Sequence, residues 1–322
     1  MNLEFKEKIQ LLRGIAIIAV IMIHTVSGEK AIFIRPFLNF AVALFIFLSG
    51  YLTNFSLEDS VKEFYKKRII RVGIPYIIWS IIYTVAYGSY DNFIKNIMTG
   101  QACGIYYYIL VYLQLTLLTP LSYKLVNSKY KILGFLITPI IIVGHYIYIY
   151  YTNKEIPYPW NANNFIIWYI YFYLGIFLRK KIIKKKNYIR IVKIKKFILV
   201  LGLIIQLLEG YFWWDLGSFS MATTQLKISV IITNIVFLLL VKDWITDSKI
   251  KNNFLLNILK EIGNMSFAIY LSHILIINIL SKFVTKVYFF PLNSILVLIL
   301  SCLCVIIGRR ILKNLSKYMG LY

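Results

Sequence analysis

The chain has 322 residues, of which 60% are hydrophobic and 15% are charged, with a formal net charge of +23. Soluble domains are close to half apolar and a quarter charged, so this composition excludes an ordinary soluble protein and indicates several membrane spans. It also excludes nucleic acid as a partner, because no basic stretch is long enough to form a soluble binding domain.

Ten apolar stretches are each long enough to cross about 30 Å of hydrocarbon as a helix. They predict an all-α polytopic membrane protein with about ten transmembrane helices, at 9–27, 36–55, 73–90, 104–126, 132–151, 163–180, 197–214, 226–243, 262–281 and 293–312. The first is expected to be retained, because no small-residue cleavage site follows it. No soluble domain or linker interrupts the series, so 1–322 is predicted to be a single integral-membrane domain.

Lys and Arg are distributed unevenly over the loops. Ten spans put both termini on one side, and that side then holds 29 of the 36 Lys and Arg residues, against 7 on the other. Basic loops stay in the cytosol, so both termini are predicted to be cytoplasmic. The same charge predicts attraction to anionic membrane lipids. The longest basic segment, 179–196, is predicted to be a helix on the inner leaflet, and a solvated anchor is its plainer interpretation.

The first span contains two ionisable side chains in an otherwise apolar stretch, RGIAIIAVIMIH (13–24). Eleven residues of helix rise about 16 Å and return to within about 20° of the starting direction, so Arg13 and His24 share one face at different depths. A long cation near a helix end usually reaches back to the interface, which makes Arg13 weak evidence alone. His24 cannot do so. A titratable group inside a span predicts a functional site, with a hydrogen-bonded structural histidine as an equal alternative.

A cationic cluster precedes the third span, in KEFYKKRIIRVGIPYIIW (62–79). Arg68 and Arg71 are three residues apart, so their guanidinium groups lie on one side of a helix. The plainer interpretation is positive charge that keeps this end of the span in the cytosol. The alternative is a phosphate-binding site, because the geometry of a guanidinium group suits phosphate better than that of an ammonium group.

Two segments on the predicted outer side are rich in aromatic residues, YYTNKEIPYPWNANN (150–164) and LLEGYFWWDLGSFSMATTQ (207–225). The first fits an aromatic belt at the membrane interface or, equally, a surface on which a sugar could stack. The second contains the carboxylates Glu209 and Asp215. Neither segment selects between these interpretations, and His145, in the fifth span, is assigned no role.

Three hydrogen-bonding side chains form a polar stripe on the ninth span, in GNMSFAIYLSHILI (263–276). Ser266, Tyr270 and His273 follow each other at four and three residues, which aligns them on one helix face. Lipid cannot satisfy such groups, so they are expected to face a protein interior or a water-filled cavity, with hydrogen bonding between helices as the alternative. No GxSxG, HExxH or phosphate-loop motif and no acidic cluster of metal-ligand spacing occurs, so no metal is expected.

Six pieces of the chain, each modest by itself, resemble acyltransferase family 3 nearly from end to end and in the family's order. They are Arg13 and His24 with ten residues between them, ALFIFLSGYL (43–52), KKRIIRVGIPYIIW (66–79), IYYYILVYLQLTLLTPL (105–121), WYIYFYLGIFL (168–178) and IGNMSFAIYLSHILI (262–276). Many members have a tryptophan before an aromatic residue at this place, whereas the aromatic residues of 105–109 in this chain are all tyrosines. Tyr107 and Tyr108 are therefore given no role. The sequence also lacks the extracellular SGNH esterase-like domain fused to some members, which implies action alone or with a separate extracellular partner enzyme.

The resemblance implies an O-acyltransferase in the bacterial plasma membrane. Such enzymes move an acyl group, usually acetyl, from cytosolic acyl-CoA to a hydroxyl of a cell-surface polysaccharide or lipid-linked glycan. The resemblance further implies that Arg68, Arg71 and Arg13 hold the CoA phosphates at the inner end. It implies that His24 is the base that removes the proton of the attacking hydroxyl.

Catalysis would also require donors for the thioester oxygen as negative charge develops on it. Arg13, Tyr270 and the stripe that includes Ser266 and His273 are the candidates. The alternative function, from a different class, is a transporter or flippase for a glycan or small metabolite, with His24 as a proton relay and the arginines as an anion site. Transporters usually contain inverted repeats with paired broken helices, and the sequence has no convincing pair of this kind.

Overall fold

The structure is a computed structural model that describes residues 3–55, 60–152, 154–158, 160–180, 188–247, 249–250, 253–283 and 289–322. These residues form fifteen α-helices and three short 3-10 turns and contain no strand. The prediction of an all-α protein is therefore confirmed.

The helices follow one another with short connections. Their bounds are α1 Leu3–Thr25, α2 Lys30–Ile34, α3 Phe40–Leu52, α4 Val61–Tyr87, α5 Phe93–Thr99, α6 Tyr107–Leu117, α7 Thr119–Asn127, α8 Leu133–Thr152, α9 Phe165–Lys180, α10 Tyr188–Asp215, α11 Phe219–Thr223, α12 Ile228–Asp247, α13 Phe254–Asn264, α14 Ser266–Phe283 and α15 Leu292–Leu312. The 3-10 turns are Arg35–Phe37, Gly104–Tyr106 and Lys313–Lys317.

Each of the ten predicted spans coincides with apolar helix. In the described residues, eight helical stretches are long and apolar enough to cross a membrane, and they correspond to predicted spans one to three, five, and seven to ten. Span four is broken between α6 and α7, because Pro120 has no backbone N–H and its ring clashes with the carbonyl one turn earlier. Span six is a shorter apolar helix, Phe165–Arg179.

The helix of the third span begins before the apolar run of that span. The apolar run starts at residue 73, but α4 starts at Val61, after Ser60, whose side chain accepts a hydrogen bond from the Glu63 N–H at 3.4 Å. A serine at this N-cap position satisfies one of the free N–H groups of the first turn and so favours a helix start. Arg68 and Arg71 therefore lie within α4. Residues 181–187 of the predicted basic helix lie outside the described residues, and α10 starts at Tyr188.

The chain divides into two compact units. The first consists of Met1–Ile9, Val26–Thr53 and Leu121–Asn252, and the second of Gln10–Thr25, Asn54–Pro120 and Asn253–Tyr322. The prediction of a single domain over 1–322 stays a prediction.

In the first unit, α3 and α9 pack with their backbones in contact. A Cβ atom at Gly50 would overlap the carbonyl oxygen of Phe172, and one at Gly175 would overlap that of Phe47. Small residues permit such close approach between membrane helices. The two glycines belong to ALFIFLSGYL and WYIYFYLGIFL, so these two motifs specify a helix contact.

In the second unit, α1 and α13 approach each other in the same way. A Cβ atom at Gly14 would overlap the carbonyl oxygen of Leu259, and one at Gly263 would overlap that of Gln10. Gly14 directly follows Arg13, so this contact fixes the position of that arginine against the rest of the unit.

Candidate functional site

All seven residues proposed from the sequence lie in the second unit. Arg13 and His24 are on α1, Arg68 and Arg71 on α4, and the stripe of Ser266, Tyr270 and His273 on α14. The structure divides them into two groups, a histidine pair and an arginine cluster.

The histidine pair consists of His24 and His273, whose ring centroids are 5.5 Å apart with an angle of 49° between the ring planes. His24 is exposed, whereas His273 is fully buried. The Nδ1 atom of His273 lies 2.8 Å from the Tyr270 carbonyl oxygen and 3.1 Å from that of Ile269. Because a carbonyl only accepts hydrogen bonds, Nδ1 carries the proton and Nε2 carries the lone pair. Within the part of the chain that the structure describes, buried Nε2 has no hydrogen-bond partner.

A buried polar network fixes the end of α1 next to His24. The Thr25 hydroxyl lies 2.6 Å from that of Ser294, and the Asn293 amide donates to the Thr25 carbonyl at 2.9 Å. Both partners are at the start of α15. Such a satisfied buried network orders the groups that it joins, so His24 has a defined position although its ring is exposed.

Tyr83 of α4 stabilises the helix turn that carries His273. Its hydroxyl donates to the Leu271 carbonyl at 3.1 Å and accepts from the Leu275 N–H at 3.1 Å, which are the residues two before and two after His273. Tyr83 is fully buried. The roles of Tyr83, Asn293 and Ser294 could not be predicted from the sequence. A tyrosine in an aromatic-rich span and two polar residues at a helix start are common and carry no distinct signal.

Tyr270 and Ser266 are buried on the same helix as His273. The Tyr270 hydroxyl donates to the Ile105 carbonyl, and its ring packs edge-on against Tyr108 at 5.3 Å. A hydroxyl has one proton to donate, so in this conformation Tyr270 orients the 3-10 turn before α6 and has no proton left for a ligand.

The arginine cluster consists of Arg13, Arg68 and Arg71, together with Tyr112 and Tyr322. Arg13 interacts electrostatically with Tyr108 first and then with Arg71, Tyr112 and Tyr322. Tyr112 interacts with Arg68 and Arg71. The ion pairs of the described residues involve neither Arg13 nor Arg71. Like charges held together with tyrosine hydroxyls form a surface that is complementary to an anion.

Aromatic rings orient the two arginines of α4. The Arg68 guanidinium lies 3.8 Å from the centre of the Phe64 ring, and that of Arg71 lies 4.6 Å from the centre of the Tyr322 ring. Arg71 Nε donates to the Tyr322 hydroxyl at 3.1 Å. Arg309 in turn holds the backbone of Leu321 and Tyr322, donating to their carbonyls at 3.1 and 2.6 Å. The roles of Tyr112 and Tyr322 could not be predicted either, because they are distant in sequence from the arginines.

The family model described as "Acyltransferase domain", which is that of acyltransferase family 3, matches residues 6–310. The match includes every proposed site residue and, of the arginine cluster, leaves out Tyr322.

The chain is similar to two staphylococcal proteins. A protein of Staphylococcus aureus (strain MSSA476) named "Probable poly-beta-1,6-N-acetyl-D-glucosamine export protein" is 27% identical over 273 residues, which cover 76% of this chain and 71% of the relative. A protein of the same name from Staphylococcus epidermidis is 25% identical over 287 residues, covering 85% of this chain and 77% of the relative. No solved structure matches the chain significantly.

Proposed function

The chain belongs to acyltransferase family 3, and on that premise we propose that it moves an acyl group from cytosolic acyl-CoA, with acetyl as the first candidate, to a glycan hydroxyl. It is a multi-pass acyltransferase of the bacterial cell membrane. The acceptor proposed is a cell-surface polysaccharide or its lipid-linked precursor, and the relatives named for poly-beta-1,6-N-acetyl-D-glucosamine support this class. The observation that carries the proposal is that one compact unit contains both an exposed histidine backed by a buried one and a cluster of three arginines.

The arginine cluster supports acyl-CoA as the donor. CoA carries several phosphate charges, and guanidinium groups bind phosphate oxygens with two parallel hydrogen bonds. Arg13 belongs to this cluster, and about 16 Å of helix rise separates it from His24. The long pantetheine arm of CoA would extend over that rise, with the phosphates at Arg13 and Arg71 and the thioester near His24. The catalytic role of Arg13 stays a prediction, and its neighbours favour binding of the donor.

The exposed ring of His24 is suited to the proton transfers of the reaction. A glycan hydroxyl oxygen attacks the thioester carbonyl carbon, a C–O bond forms and the C–S bond breaks. His24 takes the hydroxyl proton and then gives it to the CoA sulfur, so the products are an ester and the free thiol of CoA. His273 is fully buried and cannot touch the acceptor, so we assign it a positioning role behind His24.

Glycan export is the second candidate, because the relatives carry that activity in their name. In that case His24 and His273 would relay protons, and the arginine cluster would hold an anion. Export predicts movement of a glycan across a membrane without consumption of acyl-CoA, and acyl transfer predicts the opposite.

The test uses purified protein in detergent with radiolabelled acetyl-CoA and a β-1,6-linked N-acetylglucosamine pentasaccharide. We expect label on the sugar and release of CoA thiol. In Arg71→Ala the KM for acetyl-CoA should rise about tenfold, since one charge-assisted phosphate contact is lost, while the KM for the sugar is unchanged. Arg310→Ala, which removes an exposed arginine from α15, is the matched control. Movement of the sugar in proteoliposomes, without any transfer in detergent, would instead favour export.

A further inference from the structure

The first unit contains an aromatic pocket of about 470 Å³ at the C-terminal ends of α8 and α10. Its lining residues are Tyr146, Ile147, Tyr150, Tyr151, Glu209, Phe212 and Trp213. Five of the seven are aromatic, and Glu209 is the one carboxylate. The volume lies in the range of pockets that hold small organic ligands.

One wall of this aromatic pocket is rigid. Trp213 is buried against Ile32, Met221 and Ala222, and its ring meets that of Tyr146 at 74° with the centroids 5.6 Å apart. The Tyr146 hydroxyl donates to Glu209 Oε1 and accepts from the Ile228 N–H at 3.2 Å. The Tyr146 hydroxyl thus has both a donor and an acceptor partner within the protein. The side of the pocket formed by Trp213 and Tyr146 is therefore in place before any ligand binds.

The aromatic residues at the end of α8 are more exposed. Tyr150 and Tyr151 are 75% and 79% exposed, with their ring centroids 5.4 Å apart. Large aromatic side chains at this exposure, next to a formed wall, are free to cover a ligand that rests on Trp213 and Tyr146.

A buried lysine of the same unit interacts with the charge of Glu209. Lys227 is buried with 1% of its surface exposed, its Nζ donates to the Ala222 carbonyl at 2.6 Å, and it interacts electrostatically with Glu209 and Arg35. A carboxylate beside aromatic walls requires such a partner, because removing a lone charge from water is costly. A carboxylate has about four acceptor positions and the Tyr146 hydroxyl occupies one of them, so Glu209 retains the capacity to accept from a ligand hydroxyl.

We propose that this aromatic pocket binds a pyranose ring of the glycan acceptor, with Tyr146 and Trp213 against the apolar face of the ring and Glu209 accepting from its hydroxyls. A pyranose has both features, since C–H groups cover its faces and hydroxyls surround its edge. An acyl chain of a lipid has no donor for Glu209, and a carboxylate facing lipid is unfavourable. In the predicted topology the C-terminal ends of α8 and α10 lie on the outer side, where a surface glycan is found.

The identity of the ligand as a glycan rests on the proposed function, so the test measures binding without acyl-CoA. Isothermal titration of the protein in detergent with β-1,6-linked N-acetylglucosamine pentasaccharide should give saturable binding, and mannitol, an open-chain polyol without a ring face, should give none. Glu209→Gln should weaken binding about tenfold, and Tyr150→Ala should weaken it measurably. The matched controls are Asp215→Asn and Tyr211→Ala, which change exposed residues of α10 outside the pocket and should bind like the wild type.

Three results would contradict the proposal that this pocket binds a sugar. The first is no saturable binding of the pentasaccharide to the wild type, and the second is equal affinity in Glu209→Gln. The third is a lipid that native mass spectrometry finds bound to the protein, with no binding of sugar.

The sugar-binding pocket and the proposed acyl transfer can fail independently of each other. Sugar binding that depends on Glu209 without acyl transfer removes the proposed function and keeps the pocket. Acyl transfer to the pentasaccharide with an unchanged KM in Glu209→Gln removes the pocket and keeps the function.

Discussion

At the scale of single residues, burial distinguishes two histidines whose positions in the sequence look alike. Both lie in apolar spans, and periodicity places each on a polar face. The ring of His24 is exposed and can meet a substrate, whereas His273 is enclosed, with Nδ1 bonded to backbone carbonyls of its own helix. The ring of His273 also packs against that of His24, so His273 can position the base through ring contact.

We expect His24→Gln and His24→Ala to insert and fold, to retain acyl-CoA binding, and to lose about a hundredfold or more in turnover. Glutamine keeps some hydrogen bonding but cannot accept the proton, so it should not rescue the rate. Turnover and donor binding are measured separately on purified protein, with His145→Gln as the control on a different span. A structural histidine predicts the reverse pattern, with glutamine tolerated and alanine harmful through stability, and near-normal turnover in His24→Gln would remove the base from the scheme.

The residues that surround the two histidines could not be predicted from the sequence. Periodicity assigns His273 to a face of one helix, but it does not say which other helix that face meets. Tyr83, which bonds the backbone on both sides of His273, is 190 residues away in the chain. Its role follows from a tertiary contact that local pattern cannot contain.

At the scale of helices, several motifs shared with the family specify contacts rather than chemistry. Gly14 follows Arg13, and Gly263 begins the segment that leads to Ser266, and each allows α1 and α13 to touch through their backbones. Arg13, the residue before Gly14, is thereby held next to the contact with α13. The glycines were visible in the sequence, but which helices they join could not be predicted.

Replacing Gly263 by alanine should destabilise the protein by about 1–3 kcal/mol, because a Cβ atom would collide with backbone that cannot move aside as a side chain can. Thermal unfolding in detergent measures the effect as a lower apparent Tm. Gly73→Ala is the matched control, since a Cβ there meets only the end of the Ile69 side chain, at 3.9 Å. Equal Tm values for the two variants would contradict the close contact between α1 and α13.

At the scale of the whole molecule, the sequence predicts the series of helices well, because a span needs about twenty apolar residues and ten such runs are present. The differences have local causes that a hydropathy count does not contain. Pro120 breaks the fourth run, and the N-cap at Ser60 starts α4 before its apolar part. Which side each loop occupies depends on charge, not on helix geometry, and stays a prediction.

The charge asymmetry gives that topology a direct test. With 29 of the 36 Lys and Arg on the side of the termini, both termini and the segment 179–196 should be cytosolic, and the loop 150–164 should be outside. In a variant with Cys103, Cys302 and Cys304 replaced by serine, single cysteines are introduced as Trp160→Cys and Lys185→Cys. An impermeant maleimide should label the first in intact cells and the second only after the membrane is permeabilised. The opposite pattern would place the basic segment outside, and the arginine cluster could then not meet a cytosolic acyl donor.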